Sequence, residues 1–307
     1  MSAFALTSAS FPGGIELPSG IVLEPGTEIF LVHKTPSYFP SSISGKILTT
    51  VNAAFAQRNA NVPGAIVVLS GHTESVSSAD YWSSIVANTK VIGLGTGSGR
   101  PTFTWTIATS TVLVDKADVG IYNCNLAFEP GAGTVNVAAP ITVSEVGCEI
   151  VGNYITTGTD ANNKVTIAIT TTAAGDRLLF RGNTVRGAAA ATMTTFLRLV
   201  GSDNTVIEDN DIVCGTTAAA VGPIQALTTA STGVRIAGNL IQNNATSSTA
   251  CITGMAGLDG WISRNFLRNM TDASVAHIVT PGNAQLFENY GVNNNGERGI
   301  ALGTASV

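Results

Sequence analysis

Six short segments of the chain share one order of apolar and polar positions. They are CEIVGNYI (148–155), LLFRGNTV (178–185), TVIEDNDI (205–212), VRIAGNLI (234–241), DGWISRNFL (259–267) and QLFENYGV (285–292). Each carries an apolar residue, two variable residues, an asparagine, one variable residue and usually a second apolar residue. The asparagines are Asn153, Asn183, Asn210, Asn239, Asn265 and Asn289. Three positions before them stand Ile150, Phe180, Ile207, Ile236, Ile262 and Leu286. Two positions after come Ile155, Val185, Ile212, Ile241 and Leu267, with Gly291 breaking the run. An earlier copy, GIYNCNLAF (120–128), puts Cys124 in the asparagine position, and successive copies then lie 29, 30, 27, 29, 26 and 24 residues apart.

Recurrence at this period marks a solenoid, in which each unit packs only on its neighbours. The units hold short apolar runs and no amphipathic helix, so the coils are expected to be strands joined by turns. An asparagine at one fixed turn has a physical role. It tolerates a left-handed backbone at low cost, and the turn is expected to use it so. Stacked copies can also hydrogen-bond through their amides to one another and to the turn backbone.

On these asparagines and their apolar flanks the chain resembles the right-handed parallel β-helix, or pectate-lyase-like, family, whose asparagine ladder sits at one tight turn. The resemblance spans about residues 65–305 and implies a fold rather than an activity. The expected fold is all-β, a single-stranded right-handed parallel β-helix. About 240 residues at about 27 per coil give roughly nine coils and, at a strand spacing of about 4.8 Å, a rod roughly 40–45 Å long.

Ahead of the repeats, Leu48, Val51 and Phe55 stand at helical spacing, and Pro63–Gly64 leads into the apolar run Ala65–Leu69. A capping helix over about 45–58 followed by a first strand would cover the end of the solenoid, which otherwise exposes unpaired edges. Residues 1–43 hold five of the eleven prolines, Pro12, Pro18, Pro25, Pro36 and Pro40. Within them IVLEPGTEIFLVHK offers two strands around the turn Glu24–Pro25–Gly26. We expect 1–43 to be an extended N-terminal arm or attachment segment and 44–307 the β-helix.

Composition supports this division and removes several functions. Only 11% of residues are charged, against a usual figure of about 25%. Small and β-branched residues dominate, as many short strands and tight turns require. The net charge is −5 and the basic residues are scattered, which argues against a nucleic-acid partner. The N-terminal MSAFALTSASFPGG has no basic start and no long apolar core, so no secretory signal is expected. No apolar run approaches the roughly 18–20 residues of a membrane span, so no membrane partner is expected. Cys124, Cys148, Cys214 and Cys251 form no CxxC pair and the three histidines lie far apart. Buried single thiols follow, with no metal site and no cofactor.

VIEDNDIV (206–213) concentrates Glu208, Asp209 and Asp211, the type of carboxylate grouping that glycoside hydrolysis uses. The repeat accounts for Ile207, Asn210 and Ile212, and the carboxylates occupy its variable positions. Aligning the copies puts Glu208 between Arg181 and Ala237, Asp209 between Gly182 and Gly238, and Asp211 between Thr184 and Leu240. An Arg181–Glu208 pair across coils follows, worth about 0–1 kcal/mol. Polygalacturonase-like members of the family resemble one another in four motifs, Asn-Thr-Asp, Asp-Asp, Gly-His and Arg-x-Lys. Here only Gly71–His72 is found. No catalytic residue is therefore assigned, and the three carboxylates are kept as the site of an alternative reading. GLGTGSGRP (93–101) fails the spacing of a phosphate-binding loop and is expected to be a turn between strands. NAT (244–246) and NMT (269–271) are formal glycosylation sequons.

The residue after each ladder asparagine should face outward. It reads Tyr154, Thr184, Asp211, Leu240, Phe266 and Tyr290. Tyr154, Leu240, Phe266 and Tyr290 would form an exposed apolar stripe, the mark of an interface, most simply with copies of the same chain around a threefold axis. The helix-cap start of the solenoid, LTTVNAAFAQ…VPGAIVVLSGHTE…VIGLGTGSGRPTF, resembles β-helix proteins of tailed-phage virions, among them capsid decoration or cement proteins, head fibres and tailspikes. Tailspikes usually carry further coils and a C-terminal domain, whereas this sequence stops at RGIALGTASV. The resemblance thus implies a non-enzymatic homotrimer, made in the host cytoplasm, on the capsid surface of the virion. It would stabilise the head, with the arm holding the major capsid protein. The alternative is a tailspike that binds or cleaves host polysaccharide through Glu208, Asp209 and Asp211; a bacterial surface adhesin is the third reading.

Overall fold

In the computed structural model the described residues are 6–7, 15–16, 22–24, 26–129, 135–157, 163–187, 195–214, 222–227, 229–244, 250–254, 257–270, 277–279, 282–292 and 298–300. Residues 1–5, 8–14, 17–21 and 25 of the expected arm and parts of both sequons lie outside them.

The chain winds as a parallel β-solenoid with three sheets along its length. The entry sheet holds the strands that lead into the ladder turn, such as Glu149–Val151, Leu179–Arg181 and Val206–Glu208. The exit sheet holds those that leave it, such as Tyr154–Thr157, Thr184–Arg186 and Asp211–Cys214. The third sheet has seven strands, from Val112–Val114 to Ile278–Val279. About seven coils are therefore complete, fewer than the nine expected. The first pass, Gly64–Val68 and Thr73–Val76, spends 78–88 on turns instead of a third strand. After Tyr290–Val292 the chain reverses, and Arg298–Ile300 pairs antiparallel with it.

Alternation decides which side chains fill the tube. In the entry sheet Phe30, Ile66, Val91, Ile121, Ile150, Phe180, Ile207, Ile236, Ile262 and Leu286 are in register. In the exit sheet the inner column runs Phe103, Leu126, Ile155, Val185, Ile212, Ile241 and Leu267. Both columns join one core cluster, with Leu286 packed against its edge. Each buried side chain of this size contributes about 1.5–3 kcal/mol.

The exit column changes character at both ends. Its first member is Glu74, opposite Phe103, and its last is Gly291, opposite Leu267. The glycine that breaks the apolar run makes room for a ring. A Cβ at Gly291 would lie 2.1 Å from His277 Cδ2.

The ladder turn corrects one expectation. The left-handed residue is not the asparagine but the one before it: Asn123, Gly152, Gly182, Asp209, Gly238, Arg264 and Glu288 all have positive φ. The asparagine side chain has another task. Asn153, Asn183, Asn210, Asn239, Asn265 and Asn289 are buried, and each donates from Nδ2 to a carbonyl of the preceding coil, the partners being Ile121, Ile150, Phe180, Ile207, Ile236 and Ile262. Each Oδ1 accepts the backbone N–H of the ladder residue one coil back, beginning with Cys124 N–H to Asn153 at 2.9 Å. A second left-handed column, Asn88, Asp118, Gly147, Arg177 and Asn204, lies at the turn before the entry sheet and continues at Gly233 inside the strand Ser231–Ala237, where the register shifts.

The start of the chain departs from the expectation. The helix expected over 45–58 is shorter, Val51–Phe55, with Thr50 Oγ1 accepting the Ala53 N–H. Ile47–Leu48 is instead a strand beside Leu31–Val32, so pairing at the sheet edge overrides helical spacing there. Within the expected arm, Glu28–Val32 pairs in parallel with Gly64–Val68 and is a strand of the solenoid. Arg58 locks this junction: its Nη1 reaches Glu28 Oε2 at 2.7 Å and its Nε donates to Thr89 Oγ1.

Candidate functional site

The carboxylates of VIEDNDIV are spread over a turn, and two of them, Glu208 and Asp211, are tied to neighbouring arginines. Glu208 ends an entry strand opposite Arg181 and Ala237, as the alignment predicts. Its Oε1 lies 3.6 Å from Arg181 Nη1 and its Oε2 lies 3.2 Å from Arg235 Nη2. Arg235 pairs in register with Val206, so column alignment does not place it beside Glu208. The length of its side chain brings it there. Asp209 is the left-handed residue of the turn, and Asp211 begins an exit strand with Oδ2 bonded to Arg186. Both Glu208 oxygens and Asp211 Oδ2 thus face arginines, while Asp211 Oδ1 is buried without a hydrogen-bond partner, and the pairs around the turn are surface ion pairs.

The outward column of the exit sheet runs in register from Asn125 through Tyr154, Thr184, Asp211, Leu240 and Phe266 to Tyr290. Tyr154 is 38% exposed, Leu240 42%, Phe266 45% and Tyr290 60%. Two further large apolar side chains stand on the entry sheet of the last coils, Trp261 at 53% and Phe287 at 48%. The sequence pattern did not single these out, because they lie outside the position after the asparagine. Leu240, Phe266, Tyr290, Trp261 and Phe287 therefore flank the ladder turn at one end of the rod. Tyr154 is separated from them by Thr184 and by Asp211 with its arginine.

Tyr154 belongs instead to a cleft of about 530 Å³, lined also by Gly97, Ser98, Arg100, Asn125 and Thr184. The loop GLGTGSGRP supplies one wall through a short turn of 3-10 helix, Gly97–Gly99. It is a turn between strands, as its spacing implies, and it also lines a cleft. Arg100 Nε is buried without a hydrogen-bond partner. This cleft is not legible in the repeat, since its residues come from four coils.

A polar cluster at the start of the core was also not foreseen. Glu74 points into the tube and is buried; its Oε2 accepts the Val51 N–H at 3.0 Å and lies 3.0 Å from His72 Nε2. Tyr81 nearby has its phenol pushed up to about 12, first by burial and then by Glu74. His72 therefore serves a buried contact that ties the helix start to the first coil.

The four cysteines are free and buried. Among the described residues no group of three His, Cys, Asp or Glu side chains could hold a metal ion, and no helix is long and apolar enough to cross a membrane. No family model matches the chain, and no curated protein or solved structure is significantly similar to it. What the fold and ladder define is a parallel β-solenoid with an asparagine ladder.

Proposed function

We propose that the protein is a non-enzymatic structural protein of a phage virion, a capsid decoration or cement protein that works as a homotrimer of β-helices. The observation that carries this reading is the group of exposed apolar side chains on successive coils, Leu240, Phe266 and Tyr290, joined by Trp261 and Phe287. Exposed apolar surface of this kind is stabilised by a partner that covers it. Repeats of one shape present it along one edge, which suits contact between parallel copies around a threefold axis. Kinship with the pectate-lyase-like β-helices and with phage virion proteins is part of the same reading, supported by the repeat and the ladder. On a capsid, trimers held through the N-terminal segment to the major capsid protein would stabilise the assembled shell by mass action.

The first test is copy number and position on virus particles from the source, by quantitative mass spectrometry and antibody labelling. Hundreds of copies over the head are expected. Absence from particles removes the reading, and a few copies at the tail turn it to a tailspike. The same reading expects Phe266→Asp with Tyr290→Asp to sediment as a folded monomer, while wild-type sediments as a trimer. The polysaccharide alternative expects Glu208→Gln, Asp209→Asn and Asp211→Asn together to abolish glycan cleavage; no change in particle stability is expected from them here.

A further inference from the structure

We propose that the cleft at Arg100 docks an acidic residue of an extended protein segment that carries apolar residues about six positions further on. This rests on reading the neighbouring stripe as a protein interface, and it adds the chemistry of the partner.

Arg100 is the first reason. Its Nε is buried without a hydrogen-bond partner. The ion pairs of the described residues engage Arg58, Arg181, Arg186 and Arg235, but not Arg100. Arg100 lines the cleft, and a carboxylate entering it supplies the counter-charge and the charge-assisted hydrogen bond that the described residues do not. The remaining polar lining is neutral: the Ser98 and Thr184 hydroxyls and the Asn125 amide. These can hydrogen-bond to a carboxylate or a peptide backbone without opposing its charge. Tyr154 offers a ring against which the stem of an acidic side chain packs.

The second reason is where the cleft opens. Asn125, Tyr154 and Thr184 belong to the same outward column as Leu240, Phe266 and Tyr290. From Asn125 to Leu240 is four strand spacings, about 19 Å, which an extended segment covers in about six residues. The row before Leu240 is Asp211, already held by Arg186, so a second acid is disfavoured there. A ligand that fills the cleft and continues along the column meets first a cation and then apolar surface. A hydroxyl-rich saccharide would leave the apolar rows unused, and an acidic-then-apolar peptide uses both.

The test is to pan a library of random dodecapeptides on the full-length protein and measure the consensus peptide by fluorescence anisotropy. The expected consensus carries Asp or Glu with apolar residues about six positions away. Arg100→Gln, and separately replacing the peptide's acid by its amide, should each weaken binding about tenfold or more. Leu240→Ser should weaken it without removing the acid preference. Thermal melts of each variant establish that it is folded. A consensus lacking an acid, or equal binding by folded Arg100→Gln, overturns the proposal. So does binding of oligoglucuronate, and of no peptide, with the same dependence on Arg100, which would assign the cleft to an acidic sugar. Peptide binding that follows these rules in a protein absent from virus particles would sustain the proposal and remove only the virion reading.

Discussion

Asn239 Oδ1 accepts two hydrogen bonds from one neighbour, the backbone N–H of Asn210 at 3.0 Å and its Nδ2 at 2.8 Å. The same two bonds join Asn153 to Asn183, Asn183 to Asn210, Asn239 to Asn265 and Asn265 to Asn289. Every interior amide thus uses both donors and both lone pairs in a place that water does not reach. A group so fully satisfied adds specificity as well as stability, because any shift of one coil breaks bonds on both sides.

Asn210→Ala should therefore cost about 2–4 kcal/mol, since it strands donors on Asn183 and acceptors at Phe180 and Asn239. Denaturant unfolding measures the loss. Asn125→Ala, on the outward face, should change stability by less than about 0.5 kcal/mol. Equal effects at the two positions would contradict the ladder's role.

The left-handed column offers a test of backbone strain alone. Gly182 has φ +63° and open space where a Cβ would stand. Gly182→Ala should cost about 1 kcal/mol, all of it conformational. Arg264, at φ 53° in the same column, already carries that strain. Arg264→Gly should stabilise by about 0.5 kcal/mol, less than the strain relieved, because glycine frees the unfolded chain. Paired thermal melts decide both.

His277 gives the last coils a dependence on acid. Burial lowers its pKa from the ordinary 6.5. Its Nδ1 has no hydrogen-bond partner. The folded state thus binds its proton less readily than the unfolded state. Its contribution is present above pH 6.5 and is lost as the pH falls below that value toward the folded pKa. The melting temperature should fall over this window in wild-type and fall less in His277→Gln. A Gly291→Ala variant should be destabilised at every pH, because its Cβ meets the imidazole.

The thiols should be silent while the protein is folded. Burial pushes Cys148 up to about 11 and Cys124 and Cys214 up to about 12, and it raises Cys251 as well. The thiolate is the reactive form. Ellman's reagent at about pH 8 should find no fast-reacting thiol in the native protein, and four after guanidinium denaturation. A fast native reaction would place a cysteine at the surface.

The repeat was legible because a solenoid places residues one coil apart side by side. Ile150, Phe180 and Ile207 could be aligned as strings, and their register in the entry sheet is the same alignment. The outward stripe followed from the alternation of a strand, and Arg181 beside Glu208 followed from the columns. The reach of a long side chain does not follow from columns, so Arg235 at Glu208 was missed. Nor does helical spacing foresee a sheet edge waiting to be paired, which turned Leu48 from helix to strand.

The sequence by itself determined the coil, its period, the ladder asparagines and the faces of the strands, since each depends on local spacing repeated many times. Only the tertiary structure decided that the residue before each asparagine bears the left-handed turn. It alone set Glu74 inside the tube against His72 and the Val51 N–H, and fitted His277 over Gly291. It alone gathered Arg100, Asn125 and Tyr154 around one cleft. Those features join residues from different elements or depend on how the chain ends are closed, where the repeat no longer predicts the neighbour.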